Sequence, residues 1–142
     1  MAIADKMNPY LSDLVVMFLK LHDLHWNVRG MQFVPVHQYT EARYDDMAAK
    51  LDAVAELIIM NGEKPVSCTA DYLKLATVKE LNKGEYRDSE VLHILVEDLE
   101  HLRAEAMDIH ESCADNFSVV AMMEEHIAGY DKELWFLKSM LA

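Results

Sequence analysis

The sequence is poor in the residues that would staple it, break it or make it basic. Two cysteines among 142 residues, Cys68 and Cys113, are too few for a disulfide framework, and no CxxC pair is present. So little cysteine fits a reducing cytoplasm. Three prolines and four glycines leave long stretches free to form regular helix. Basic residues are outnumbered, 13 Lys and Arg against 25 Asp and Glu, which gives a formal charge of −12. Such a chain repels phosphate backbones and anionic lipid, and no local basic patch reverses that sign. No apolar run reaches the roughly 18 residues of a membrane span, because Asp, His and Lys interrupt every candidate. The opening MAIADKMNPY is neither a basic arm nor a secretion signal.

What the sequence does have is helical period. With 52% hydrophobic residues the chain can bury a core, and one domain spanning 1–142 is expected. Asn8 before Pro9 predicts a helix start, and Leu11, Leu14, Val15, Phe18 and Leu21 keep period to about Arg29, where Gly30 reads as a left-handed cap. After a loop containing Pro35, a second helix carries Tyr44, Met47, Leu51, Val54 and Ile58 and ends at Asn61-Gly62. Ser89 and Glu90 open a third, with Val91, Leu95, Leu99, Leu102, Ala106 and Ile109 in its stripe. Asp115 or Asn116 caps a fourth, with Val120, Met123, Ile127, Tyr130, Leu134 and Leu137. The long connection between the second and third helices holds TADYLKLAT, which predicts a short extra helix. A long crossover in the middle of four amphipathic helices implies an all-α, ferritin-like four-helix bundle, since an up-down-up-down bundle needs only short loops.

The second helix also carries a polar face. His37, Glu41, Asp52 and Glu56 form two i,i+4 pairs that share one arc, turned sideways from the apolar stripe. His37 and Asp52 lie roughly 22 Å apart along the helix, so one copy cannot gather them around an ion. However, His37 and Glu56 share a sequence midpoint with Glu41 and Asp52, between Asp46 and Met47. A two-fold axis there would set His37 opposite Glu56 of an antiparallel partner, and Glu41 opposite Asp52, making two identical clusters per dimer. His25, across the short loop from His37, supplies a second imidazole. This mixed nitrogen and oxygen set suits iron or manganese, with room for a second ion. Spacing alone does not separate it from an ordinary solvated face.

Other candidates read more plainly. Glu90 and His93 have the spacing of a bundle-centred di-iron ligand pair but fall in the first turn of a helix, where solvent explains them. His22 reads as a surface hydrogen-bonding residue, and His101, His110 and His126 read as titrating surface residues among acidic neighbours. Trp135 continues a packing face. Trp26, beside His25, reads either as a packing residue or as an oxidisable indole placed to give up an electron near a redox metal.

The segments HWNVRGMQF, PVH and LDAVAE, together with YLKLATVKE and DKELWFLKSML, resemble the signature of the Dps family of mini-ferritins over most of the chain. The resemblance implies a homo-oligomer, a hollow twelve-subunit shell built from two-fold dimers. Such a shell oxidises Fe(II) at di-iron sites between subunits, with hydrogen peroxide preferred to oxygen, and stores ferric mineral. His25 and His37 would then come from one subunit, and Asp52 and Glu56 from its partner. Asp52, Glu56 and His25 would hold the tighter iron, with Glu56 bridging. His37 and Glu41 would hold a weaker, more hydrated one, and Trp26 would intercept radicals. Glu41 stands where the family usually has aspartate, and Leu57 where many members have arginine. The lysine-rich tail with which some members bind DNA is not matched, which argues against DNA binding. The alternatives are a DNA-compacting structural protein and an inactive ferritin-like interaction module.

Overall fold

A computed structural model describes residues 2–142. Four long helices, α1 (Ala4–Asn27), α2 (Phe33–Met60), α4 (Asp88–Ser112) and α5 (Phe117–Leu141), pack as a four-helix bundle. The short helix α3 (Thr69–Leu75) lies in the crossover between α2 and α4, as the TADYLKLAT segment predicts. The chain therefore forms two hairpins, α1 with α2 and α4 with α5, joined by that crossover. No helix among the described residues is long and apolar enough to cross a membrane.

The predicted stripes supply much of the core: Leu11, Leu14 and Leu21 of α1, joined by Met17 and Leu24, meet Met47, Val54 and Ile58 of α2 and Leu95, Leu99 and Leu102 of α4, while Val15 and Phe18 pack only partly buried against it. Asn116 caps α5, its side chain accepting from the Val119 amide. Trp135 does not extend the packing face, since it is 65% exposed in the subunit.

The start of α1 departs from expectation. The helix begins at Ala4, and Pro9 lies inside it. Its cap comes from far along the chain, where the Glu63 carboxylate accepts from the Ile3 and Ala4 amides at 3.0 and 2.8 Å. That negative group sits at the positive end of the helix and satisfies two otherwise unpaired donors. Asn8 instead ties the crossover down: its amide donates to the Lys64 carbonyl and its carbonyl oxygen accepts from the Val66 amide.

The turn between α1 and α2 is also built differently. Val28 and Arg29 (β1) pair in parallel with Tyr86 and Arg87 (β2), so α1 ends in extended chain rather than at a left-handed glycine. Gly30 is required for another reason. Its φ is +132°, and a Cβ there would sit 2.5 Å from Asp88 Oδ2, which accepts from the Gln32 amide at 2.9 Å. Pro35 lies in the first turn of α2, where a missing N–H costs nothing.

Candidate metal centre

The β1–β2 bridge and the Asp88 clamp turn the chain back so that the start of α2 faces the end of α1. This brings His25 and His37 into parallel stacking, with ring centroids 3.6 Å apart and planes 13° from parallel. His25 Nδ1 lies 2.6 Å from the His37 carbonyl oxygen, and His37 Nδ1 lies 2.8 Å from the His25 carbonyl oxygen. A carbonyl only accepts, so each Nδ1 carries a proton, and in the neutral ring it is Nε2 that holds the lone pair. Second contacts of this kind fix a metal-binding imidazole in its tautomer and orientation. Thr40, fully buried, lies beside the same carbonyl, 2.9 Å from the His37 oxygen and 3.1 Å from His25 Nδ1.

His25 is 5% exposed, yet its Nε2 faces outward toward Glu41 Oε1 at 3.9 Å. The Tyr44 hydroxyl donates to that same carboxylate oxygen at 3.4 Å. Tyr44 belongs to the site and not merely to the apolar stripe assigned from its spacing. Its ring meets His25 edge-on at 5.3 Å and stacks on His22 at 3.9 Å. Trp26, 68% exposed, lies 5.4 Å from the His22 ring. A continuous row of rings thus runs from an exposed indole through His22 and Tyr44 to His25. His22 is a partly buried member of that row, its Nδ1 donating to the Phe18 carbonyl at 2.8 Å.

Asp52 and Glu56 project from the exposed side of α2. Among the described residues, His25, His37, Glu41, Asp52 and Glu56 do not converge as a metal-binding group within one subunit. The structure brings His25, His37 and Glu41 together and leaves the other two carboxylates facing outward. α2 is held in place by Arg43, which reaches Glu133 of α5 at 3.2 Å, and by the Tyr39 hydroxyl, which donates to the same carboxylate at 2.8 Å.

One of the remaining histidines corrects the sequence reading. His126 is not a surface residue: it is buried, its Nδ1 lies 2.8 Å from the Tyr10 hydroxyl, and that hydroxyl lies 2.5 Å from the Tyr130 hydroxyl. Burial, helped by the nearby Lys50 ammonium, pushes the His126 imidazole down to about 4. His101, although partly exposed, joins Asp13 and Glu105 in a cluster whose potential ligand atoms lie within 4.8 Å of one another. No sequence spacing signals it, because Asp13 and His101 meet only through packing. Glu90 accepts from the Arg87 amide at 3.2 Å while His93 stays exposed, so that pair serves the helix start.

Comparison with known proteins gives a consistent result. The ferritin family, described as a ferritin-like domain, matches residues 4–142. A DNA protection during starvation protein from Helicobacter pylori is 31% identical over 133 residues, covering 92% of each chain. Among solved structures, CAIP from Helicobacter cinaedi superposes with a TM-score of 0.95 at 30% identity, covering 99% of both chains. The Dps protein from Vibrio cholerae O1, described as a member of a broad superfamily of ferritin-like diiron-carboxylate proteins, superposes at 0.93 with 27% identity. That match covers 99% of this chain and 89% of the other.

Proposed function

The chain belongs to the Dps family of ferritin-like proteins, and from that premise we propose that it is a ferroxidase and iron store. In this reading ferrous iron is the substrate. It is held where His25, His37 and Glu41 of one subunit face Asp52 and Glu56 of a two-fold partner, and the ferric product is kept inside a closed, twelve-subunit shell.

The observation that carries this reading is the reciprocal locking of His25 and His37. Two imidazoles fixed with their Nδ1 protons spent on each other's backbone present two outward Nε2 lone pairs at no further ordering cost. Carboxylates supply the negative charge that ferrous iron needs and ferric iron needs more, which favours oxidation at the site. Two ferrous ions each give one electron, and hydrogen peroxide takes both together with two protons to leave two waters. When a single ferrous ion is present, the row of rings from His25 to Trp26 offers the second electron from an indole, so that hydroxyl radical is not released. Glu41, longer than aspartate by a methylene, reaches the His37 ion directly, and Tyr44 orients it.

Anaerobic Fe(II) titration followed separately by oxygen and by peroxide tests the assignment. Wild type is expected to take up ferrous iron at two ions per site and to consume it faster with peroxide. Asp52→Ala and Glu56→Ala should each slow oxidation more than about 100-fold, since even outer partners of metal ligands contribute about 10- to 100-fold. The subunit fold should be unchanged, because both side chains lie outside its core, and gel filtration identifies any loss of rate that comes from lost assembly. Wild-type oxidation rates in either variant would rule the site out.

A further inference from the structure

Away from the imidazole pair, α1, α4 and the crossover meet around an unusual set of groups. Asp13 of α1 is completely buried. Its Oδ1 accepts from the Thr77 and Val78 amides at 2.5 and 2.7 Å, and its Oδ2 accepts from the Thr77 hydroxyl at 2.6 Å. His101 of α4 places Nε2 3.6 Å from Asp13 Oδ2, 3.5 Å from Glu105 Oε1 and 2.7 Å from the Thr77 hydroxyl. Glu105 Oε1 is shut off from solvent and makes no hydrogen bond.

A fully buried carboxylate facing a second one whose inner oxygen is shut off from solvent needs a compensating positive charge, and the nearby lysines are engaged elsewhere. Lys20 pairs with Asp98 at 2.7 Å, and Lys6 pairs with Asp108 at 2.8 Å. The spacing of the three groups fits one ion. Ligand atoms about 2.1 Å from a tetrahedrally bound ion stand about 3.4 Å from one another, close to the 3.5 and 3.6 Å that separate His101 Nε2 from its two carboxylate neighbours. The second oxygen of Asp13 is already anchored by backbone amides, as a metal-binding carboxylate is when its outer contacts orient it. An open cleft of about 480 Å³ bordered by Asp5, Lys6, His101, Glu105 and Asp108 lies beside the cluster, with three carboxylates and one ammonium in its lining.

We propose that Asp13, His101 and Glu105, with solvent completing the coordination, form a site within each subunit for a first-row divalent transition ion of the zinc or manganese type. It does not depend on the interfacial reading, because no residue is shared. The ion ties the end of the crossover at Thr77 to both α1 and α4, so its role is to lock that connection.

Zinc equilibrium dialysis on the assembled protein tests the site. An Asp52→Ala, Glu56→Ala background removes the interfacial carboxylates, and His101→Gln and Glu105→Gln are then added singly. His101 is partly exposed and glutamine matches glutamate in shape, so helix content should stay at the background level in both. The background is expected to retain one zinc per subunit and, with Co(II), to give a visible absorption band. Either added substitution should weaken zinc binding at least about 10-fold. Zinc should also slow hydrogen exchange at the Thr77 and Val78 amides in the background and not in the variants. No zinc retained by the background, or retention undiminished by both His101→Gln and Glu105→Gln, overturns the site.

Discussion

His25 and His37 hold each other: each ring stacks on the other and each Nδ1 reaches the other's backbone carbonyl, at 2.6 and 2.8 Å. The two helix ends that carry them are therefore locked by the residues that would bind the ion. Half of the proposed centre is rigid before any substrate arrives, and the other half is expected from a neighbouring subunit. Four predictions follow from this arrangement and from the surrounding fold.

A His25→Ala, His37→Ala subunit and an Asp52→Ala, Glu56→Ala subunit should each be inactive alone. Co-assembled, they should regain oxidation, because each mixed dimer keeps one complete site and one empty one. The check is stopped-flow Fe(II) oxidation on heterodimers verified by mass spectrometry. Silent heterodimers would mean that the carboxylates do not act across the interface.

Gly30→Ala should destabilise the fold by about 1–3 kcal/mol, the usual cost of forcing a side chain into a sparsely allowed backbone region. The φ of +132° is one cause, and the Asp88 carboxylate, 2.5 Å from the new Cβ, is the other. Because Asp88 would lose the Gln32 amide, the turn that sets His37 against His25 should loosen, and Fe(II) affinity should fall along with the melting temperature. Calorimetry paired with anaerobic titration reads both effects, and an unchanged melting temperature would count against the clamp.

His126 predicts an acid-labile core. Its folded value near 4 is depressed below the ordinary histidine value of about 6.5, so the unfolded chain takes up a proton that the folded chain refuses. Stability from this group is complete above about pH 6.5. It falls by up to about 1.4 kcal/mol per pH unit per subunit as the pH drops toward 4, then levels off. Urea midpoints of wild type and His126→Gln across this range should converge at low pH relative to their separation at neutral pH. A constant difference would show that burial does not hold His126 neutral.

Duplex DNA should not be retarded by the assembled protein at neutral pH and moderate salt. Every subunit carries −12, which repels phosphate at long range, and salt screens that repulsion and any local attraction alike. DNA should still be protected from iron and peroxide, through removal of Fe(II), and Asp52→Ala should lose this protection. A gel shift run beside a nicking assay distinguishes the cases, since a clear shift, or protection that survives Asp52→Ala, would mean shielding by contact.

The repeating apolar positions made the bundle legible. Val91, Leu95, Leu99 and Leu102 keep a period that only one face of a helix can produce, and that face is buried. The start of α1 was not legible, because Asn8-Pro9 has the form of a cap while the group that does the capping, Glu63, lies beyond another helix. His126 was misread from its acidic sequence neighbours Glu124 and Glu125. Its position four residues before Tyr130 carried the better signal, since both face Tyr10. Of the candidate centre, the residue types and their helical spacing were visible, and the stacking of His25 on His37 was not, because it depends on the Gly30 turn. Tyr44 illustrates the same limit: one spacing served both the core and the site.

The cap that Glu63 supplies to α1 also bears on the order in which the chain folds. Each helical hairpin is built from neighbours in sequence and can form at little cost in loop closure, whereas Glu63 reaches Ile3 and Ala4 only after the chain has passed through all of α2 and turned. The first turn of α1 is therefore completed last within the first hairpin, once the end of α2 has come back alongside the start of α1. The carboxylate at position 63 acts as a latch on that hairpin, tying the outgoing chain to the residues with which the helix begins.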